Sequence, residues 1–269
     1  MKYTLISILI LVLMLLGSFY LKAQSRFTTF KLEASQLNAE KTIWVYTPTS
    51  YLFKKRRKYS VVYMHDGQNL MDEKTAFAGT WKVCETLDSL NLEVIVIGIA
   101  HGNEKRLEEL TPFPHPKYGG GNADAYLNFV FETLKPYIDK NYRTKPDAEH
   151  TLMMGSSLGG LVTFYAAMKY SDQIGKVGVF SPSFWFSDEI YQMAKKSENW
   201  HTKTYFMCGD AESENLVDEV QKMVQIVHDK ATHKENVKVK IVPEGTHQEW
   251  LWAQEFGEAM QWLLLNRHG

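Results

Sequence analysis

Residues 155–159 read Gly-Ser-Ser-Leu-Gly and place Ser157 at the centre of a Gly-x-Ser-x-Gly motif. The apolar run at 150–154 predicts a strand before the motif, and the periodicity of 158–170 predicts a helix after it. A serine at such a sharp strand-to-helix turn is presented above the sheet as a nucleophile. The backbone N–H of Leu158, at the N-terminus of the helix, would donate to a developing oxyanion.

A serine hydroxyl is a weak nucleophile, so it needs a base that is itself oriented by a carboxylate. In proteins with this motif the acid and then the histidine follow the serine along the chain. Residues 237–242 predict a last strand, and His247 stands in the loop after it, before a helix that starts near Gln248. His247 is therefore the predicted base. The other histidines beyond the serine fall in helices, in the tail or before a strand: His201, His228, His233 and His268.

Three carboxylates compete for the role of the acid after the predicted strand at 203–208. Asp210 lies directly after the end of the strand, where a carboxylate could shape the turn instead of contacting the histidine. Glu214 is better placed to interact with the N-terminal turn of the following helix. Glu212 is the favoured acid, and Asp210 remains the alternative.

The loop after the strand at 59–65 could supply a second oxyanion donor. Gly67 lets the backbone turn inward, so the donor is predicted to be the N–H of Gln68 or of Gly67. His65 and Asp66 could instead bind a metal ion, but no matching ligand pair with regular spacing accompanies them. Neither a metal nor an organic cofactor is expected.

The elements that must position these residues form an alternating pattern of strands and helices. A β-hairpin precedes short apolar runs typical of strands buried on both faces, and the full series of predicted strands is 26–32, 41–47, 59–65, 92–100, 150–154, 176–180, 203–208 and 237–242. Helical periodicity separates most of them, at 81–90, 123–142, 158–170, 188–196, 215–230 and 248–265. This alternation predicts an α/β fold with a mostly parallel central sheet, helices on both faces and no large lid domain. In such sheets ligands bind at the carboxyl ends of the strands, where the candidate residues stand.

The N-terminus has the pattern of a signal peptide. Lys2 is followed by an apolar run at 5–16, and the segment then becomes more polar and ends in the small residue Ala23. We expect a signal peptide over 1–23, cleavage near Ala23, a single domain over 24–269 and a periplasmic or extracellular location. The alternative is a retained membrane anchor, because the segment from Thr4 to Leu21 could just span a bilayer.

Charge and cysteine content exclude other classes of protein. The 30 basic and 31 acidic side chains of the 269 residues are spread along the chain and offer no footprint for nucleic acid. The one basic cluster, at 54–58, precedes a strand and is interpreted as a solvated loop. With only Cys84 and Cys208 a disulfide scaffold is excluded, and two buried thiols are favoured over a single bridge.

Four motifs resemble the putative esterase family of α/β-hydrolases, which includes esterase D, feruloyl esterases, the mycolyltransferase antigens and siderophore esterases of the enterobactin type. The resemblance covers about Thr42 to the C-terminus and rests on residues 63–69 (Tyr-Met-His-Asp-Gly-Gln-Asn), 155–160, 181–185 (Ser-Pro-Ser-Phe-Trp) and 245–247 (Gly-Thr-His). It implies the α/β-hydrolase fold and a serine carboxylic-ester hydrolase that acts through an acyl-enzyme. By similarity to feruloyl esterases, Glu212 matches the acid position, although aspartate is commoner there. The implied substrates are small-molecule or polysaccharide-linked esters: feruloyl or acetyl esters of polysaccharide, or siderophore lactones.

Substrate-binding candidates are weaker. Trp81 and Trp185 follow predicted strand ends and could wall the pocket, whereas Trp44, Trp252 and Trp262 have the periodicity of core residues. Arg106 could hold a polar or anionic substrate group, and a structural ion pair with Glu108 or Glu109 is the alternative. A serine peptidase or acyltransferase could use the same residues, and a binding module without catalytic activity is a further alternative.

Overall fold

An eight-stranded sheet forms the centre of the computed structural model, which describes residues 27–265. The predicted signal peptide over 1–23 and His268 lie outside the described residues. The strands are β1 Phe27–Ala34, β2 Ala39–Tyr46, β3 Ser60–Met64, β4 Val94–Ile99, β5 Thr151–Ser156, β6 Lys176–Phe180, β7 Lys203–Gly209 and β8 Val237–Val242. Each predicted strand is present, with small shifts at its ends.

The strand order across the sheet is β1-β2-β4-β3-β5-β6-β7-β8. β2 runs antiparallel to both of its neighbours, and the other pairs are parallel. The mostly parallel α/β sheet and the early hairpin are thus confirmed. From β3 the chain passes to β4 on one side and then returns to β5 on the other. The carboxyl ends of β3 and β5 therefore adjoin where the strand order reverses, which is where open α/β sheets bind their ligands.

Side chains of successive strand residues enter two separate cores. In β3, Val61 and Tyr63 pack into one cluster, and Val62 and Met64 pack into the other. Both faces of the sheet are buried, and this is why the central strands read as continuous apolar runs rather than as an alternation with polar residues.

Helices cover both faces of the sheet: α1 Ser50–Phe53, α2 Val83–Ser89, α3 Arg106–Leu110, α4 Ala123–Asn128, α5 Lys135–Asn141, α6 Leu158–Lys169, α7 Glu189–Lys196, α8 Leu216–Lys230 and α9 Glu249–Leu264. A π-helical segment, Phe129–Leu134, joins α4 to α5, so the predicted helix at 123–142 is nearly continuous. Leu161 of α6 and Val220 of α8 belong to the first core cluster, and Leu87 of α2 and Phe256 of α9 belong to the second. Within residues 27–265, no helix combines the length and the apolar character needed to span a membrane.

Cysteines and the basic cluster have the predicted surroundings. Cys84 and Cys208 are buried thiols rather than a disulfide, and burial raises the pKa of Cys208 to about 12. The side chains at 54–58 are exposed, and both Lys54 and Arg57 form ion pairs with Glu93. The cluster is therefore a solvated loop, as predicted.

Candidate active site

Ser157 occupies the turn between β5 and α6 with a backbone conformation that L-amino acids rarely adopt, φ 58° and ψ −123°. Its N–H donates to the carbonyl of Phe180 at 3.0 Å. A Cβ atom at Gly155 would lie 2.8 Å from the carbonyl of Gly159, so the turn requires glycine there. Strain of this kind costs of order 1 kcal/mol or more and persists only where the surrounding structure holds it. The turn presents Ser157 directly before the first N–H groups of α6.

Glu212 and His247 are joined by a hydrogen bond between Glu212 Oε2 and His247 Nδ1 of 2.5 Å. The Glu212 side chain is 1% exposed and that of His247 is 41% exposed. The other carboxylate oxygen accepts hydrogen bonds from Ser181 Oγ at 2.7 Å and from the N–H of Gly209 at 2.5 Å. The carboxylate is thus fixed on both oxygens, and its contact with the imidazole is at Nδ1.

Two residues that the sequence analysis did not assign to the site complete this network. The indole Nε1–H of Trp252 donates to Ser181 Oγ at 2.8 Å, and the Trp252 ring meets the His247 ring edge to face at 5.0 Å between centroids. Ser181 directly follows β6 and has a φ of 41°. The position of Ser181 directly after a strand could have marked it as a site residue. Its contact with Trp252, 71 positions away, has no signal in the sequence.

The alternative acid lies elsewhere. Asp210 is exposed, and its Oδ1 accepts a hydrogen bond from the N–H of Glu244 at 2.7 Å. Glu244 itself has a φ of 58°, in the turn that follows β8. Asp210 therefore shapes the loop that leads to His247, while Glu212 contacts the imidazole. Glu214 is exposed beside the start of α8.

The segment predicted to supply the second oxyanion donor is a short 3-10 turn, Gly67–Asn69, at the carboxyl end of β3. A Cβ atom at Gly67 would lie 2.7 Å from the carbonyl carbon of Gly98 in β4, so the turn packs directly on the neighbouring strand. Gln68 Oε1 accepts a long hydrogen bond, 3.4 Å, from the N–H of His101.

Ser157 and His247 are not joined in this structure. Ser157 Oγ is hydrogen-bonded to Ser183 Oγ at 3.3 Å, and the N–H of Ser183 also donates to the carbonyl of Ser157. The structure thus joins Glu212 to His247 and leaves the Ser157 hydroxyl in contact with Ser183.

The arginine that was a candidate for substrate binding forms an ion pair with Asp66. Arg106 Nε donates to Asp66 Oδ1 at 2.6 Å, and a terminal nitrogen donates to Oδ2 at 2.9 Å. Arg106 therefore pairs with Asp66 rather than with Glu108 or Glu109. Glu109 forms a buried ion pair with Lys41 at 2.6 Å, and Glu108 is exposed. Burial acts to raise the pKa of Asp66, but the hydrogen bonds and charge of Arg106 outweigh it and hold that pKa below its ordinary value.

Metal binding by His65 and Asp66 gains no support from the geometry. His65 Nδ1 is hydrogen-bonded to the Tyr126 hydroxyl at 2.7 Å, and Asp66 is engaged by Arg106. Within residues 27–265 the side chains that reach ligand spacing are Asp147, Glu149 and His150, and there the histidine is bonded to Asp147 at 2.6 Å.

The model of the family described as "Putative esterase" matches residues 34–263. The chain belongs to this family. It is a carboxylic ester hydrolase with the α/β-hydrolase fold.

Individual relatives of this esterase are distant in sequence. It is 24% identical to the uncharacterized protein YbbA of Bacillus subtilis over 233 residues. The aligned region covers 81% of this chain and 90% of YbbA. Among solved structures, a ferulic acid esterase superposes with a TM-score of 0.69 at 20% identity, covering 89% of this chain and 97% of the other. The siderophore hydrolase EstB of Aspergillus nidulans superposes with a TM-score of 0.70 at 18% identity, covering 92% and 99%. The two superpositions establish the shared fold.

The two tryptophans that were candidates for the pocket wall differ in this esterase. Trp81 is 3% exposed and stacks on Phe180 at 5.4 Å between ring centroids, so it is a core residue and the expectation of a pocket role was wrong. Trp185 is 53% exposed and packs against His115 and Tyr118. Of the tryptophans predicted to be core, Trp44 and Trp252 are buried and Trp262 is partly buried.

The free energy of unfolding of the esterase should depend on pH through His65. Burial lowers the pKa of this side chain to about 4, with Arg106 adding to the effect and Asp66 opposing it. The unfolded chain binds a proton near pH 6.5 and the folded chain only near 4, so stability should fall by about 3 kcal/mol as the pH drops through this window. Urea unfolding at about pH 7 and about pH 4.5 should show this loss in the wild type and a smaller loss in His65→Gln. A matched change at the exposed His201 should leave the wild-type difference in place, and an equal loss in His65→Gln would contradict the assignment.

Proposed function

We propose that the protein is an exported serine esterase that works through an acyl-enzyme, with Ser157 as nucleophile, His247 as base and Glu212 as the orienting acid. The observation that carries this proposal is the hydrogen bond that His247 Nδ1 donates to the buried Glu212 carboxylate. A carboxylate in that position fixes the tautomer of the histidine and stabilises the imidazolium that forms when it takes a proton. The strained turn at Ser157 supplies the matching nucleophile position.

Acylation begins when Ser157 Oγ attacks the carbonyl carbon of the ester and its proton passes to His247 Nε2. The carbonyl oxygen becomes an oxyanion, which accepts hydrogen bonds from the N–H of Leu158 and of Gly67 or Gln68. The tetrahedral intermediate then collapses, the bond to the alkoxy group breaks, and His247 gives its proton to the departing alcohol.

Deacylation repeats these steps with water. His247 takes a proton from water as the water oxygen attacks the acyl carbon, and the same N–H groups stabilise the second oxyanion. When this intermediate collapses, Ser157 leaves and regains its proton from His247, which releases the carboxylic acid. Chain residues alone carry out every proton transfer, so the proposal requires neither a metal nor an organic cofactor.

Feruloyl or acetyl esters of polysaccharide and siderophore lactones are the substrates we propose. Support comes from the similarity to a ferulic acid esterase and to a siderophore hydrolase. Trp185 lies two positions after Ser183, the residue that contacts the nucleophile, and its exposed ring could stack on an aromatic acyl group. We therefore keep Trp185 as a substrate-binding candidate.

Export is proposed from the sequence pattern of residues 1–23. The mature chain would begin at Gln24 and act in the periplasm or outside the cell, and membrane attachment would arise only if the N-terminal segment were retained.

The full chain, expressed with its N-terminus and recovered from the cell envelope and medium, tests both parts of the proposal. Intact mass should correspond to a start at Gln24. Aryl acetates and methyl ferulate should be hydrolysed much faster than the matching amides. Their hydrolysis should also be faster than transfer of the acyl group to an added alcohol. Faster amide cleavage would indicate a peptidase, and faster acyl transfer would indicate an acyltransferase. An intact N-terminus would overturn the proposal that the signal peptide is cleaved.

A further inference from the structure

Asp66 adopts a left-handed backbone conformation, φ 53° and ψ 47°, directly before the turn Gly67–Asn69. A residue with a Cβ atom is strained there, although aspartate tolerates this region better than most residues. The carbonyl of Asp66 accepts a hydrogen bond from the N–H of Asn69 at 2.9 Å, which closes the turn. The direction of the N–H groups in the turn therefore depends on the conformation of Asp66.

The Asp66 side chain also lies beside the first turn of α6. A Cβ atom at Gly159, in the first turn of α6, would lie 3.4 Å from Asp66 Oδ2. The neighbouring residue, His65, packs beside β5, since a Cβ atom at Gly155 would lie 2.8 Å from its Cδ2. Asp66 thus directly precedes the turn after β3 and lies beside the first turn of α6, the two structures that would supply oxyanion donors.

Arg106 holds this carboxylate through two parallel hydrogen bonds, Nε to Oδ1 and a terminal nitrogen to Oδ2. A planar guanidinium that bonds both oxygens fixes the orientation of a carboxylate as well as its position, which a lysine ammonium does not do. The Asp66 side chain is 12% exposed and that of Arg106 is 28% exposed, so solvent screens the pair only in part.

We infer that Arg106 is a positioning residue for catalysis: through Asp66 it fixes the geometry of the oxyanion hole between the turn at 67–69 and the start of α6. This inference rests on the proposed function. It replaces the expectation that Arg106 binds an anionic group of the substrate, because its paired guanidinium edge already faces a carboxylate of the protein. Since an oxyanion forms only in the transition state, loss of this pair lowers kcat and leaves KM nearly unchanged.

The test compares Arg106→Met, Arg106→Lys and Asp66→Asn in the full chain. Kinetics are measured with two esters of p-nitrophenol, the neutral acetate and the anionic hydrogen succinate. A misplacement of catalytic groups by about 1 Å can cost about 100-fold, and we expect a loss of that order in kcat for Arg106→Met with both esters. Arg106→Lys recovers part of the loss, because it restores the charge without the two-pronged contact.

Lys135→Met provides the matched control. Lys135 and Asp139 form an ion pair of similar burial in α5, with side chains 9% and 22% exposed and a distance of 2.8 Å. This variant should lose stability comparable to that of Arg106→Met and retain the wild-type kcat. Active-site titration with a fluorophosphonate counts the competent molecules in each preparation, so that a folding defect is not taken for a catalytic one.

A rise in KM for the succinate ester alone would restore Arg106 as a substrate-binding residue and overturn the inference. An unchanged kcat for Arg106→Met, per titrated site, would also overturn it. Should Arg106→Met fail to fold, Asp66→Asn decides in its place, because asparagine tolerates the left-handed conformation and keeps one acceptor oxygen. Failure of the proposed function would appear differently, as a wild-type protein that neither hydrolyses the esters nor reacts with the fluorophosphonate.

Discussion

Replacing Ser157 with alanine is expected to lower kcat for ester hydrolysis by about 10⁴- to 10⁶-fold, because no other group can form the acyl-enzyme. Residual turnover would come from the oxyanion donors and from substrate binding, so KM should change far less than kcat. The measurement is steady-state hydrolysis of a p-nitrophenyl ester, with the melting temperature of each variant recorded beside it.

Ser156→Ala is the matched control for this experiment. Ser156 is the adjacent serine in the same motif, it is buried at the end of β5, and it has no role in the proposed mechanism. It should retain most of the wild-type kcat. Wild-type activity in Ser157→Ala, or an equal loss in both variants, would contradict Ser157 as the nucleophile.

Glu212→Gln is expected to lower kcat by about 10⁴-fold, the size of effect seen when a carboxylate that orients a catalytic histidine becomes an amide. A glutamine can still contact Nδ1, but it favours the wrong tautomer and cannot stabilise the imidazolium. Because Glu212 accepts bonds on both oxygens from Ser181, Gly209 and His247, the change also places an NH₂ group where one of those donors points.

Asp210→Asn is the control, since Asp210 is exposed and its side chain accepts a hydrogen bond from the N–H of Glu244 rather than from His247. We expect its kcat to stay within about twofold of the wild type, as for most surface substitutions. The reverse pattern, with a large loss for Asp210→Asn and a small one for Glu212→Gln, would assign the acid to Asp210.

The sheet could be predicted because its strands are short apolar runs buried on both faces, and that pattern is visible without any tertiary information. Helices α1 and α3, of four and five residues, escaped prediction, since so short a segment shows no helical period. The π-helical segment at Phe129–Leu134 has the apolar pattern of an ordinary helix and differs only in its hydrogen bonds.

The candidate site was predictable where each residue follows a strand. Ser157, Glu212 and His247 all obey this rule, and the fold places each of them at the same edge of the sheet. The partner of Arg106 was not predictable, because Asp66 is 40 positions away while Glu108 and Glu109 are close neighbours in sequence. Trp81 also follows a turn after a strand, but an aromatic residue in that place can face the core as readily as the cleft, and here it packs on Phe180.

The most direct test of an activated serine is the intact mass of the protein after exposure to a fluorophosphonate, followed by peptide mapping. The account predicts one adduct per chain, located on Ser157 and absent from Ser157→Ala. No adduct on well-folded wild-type protein, or an adduct on another residue, would contradict the proposed catalytic mechanism.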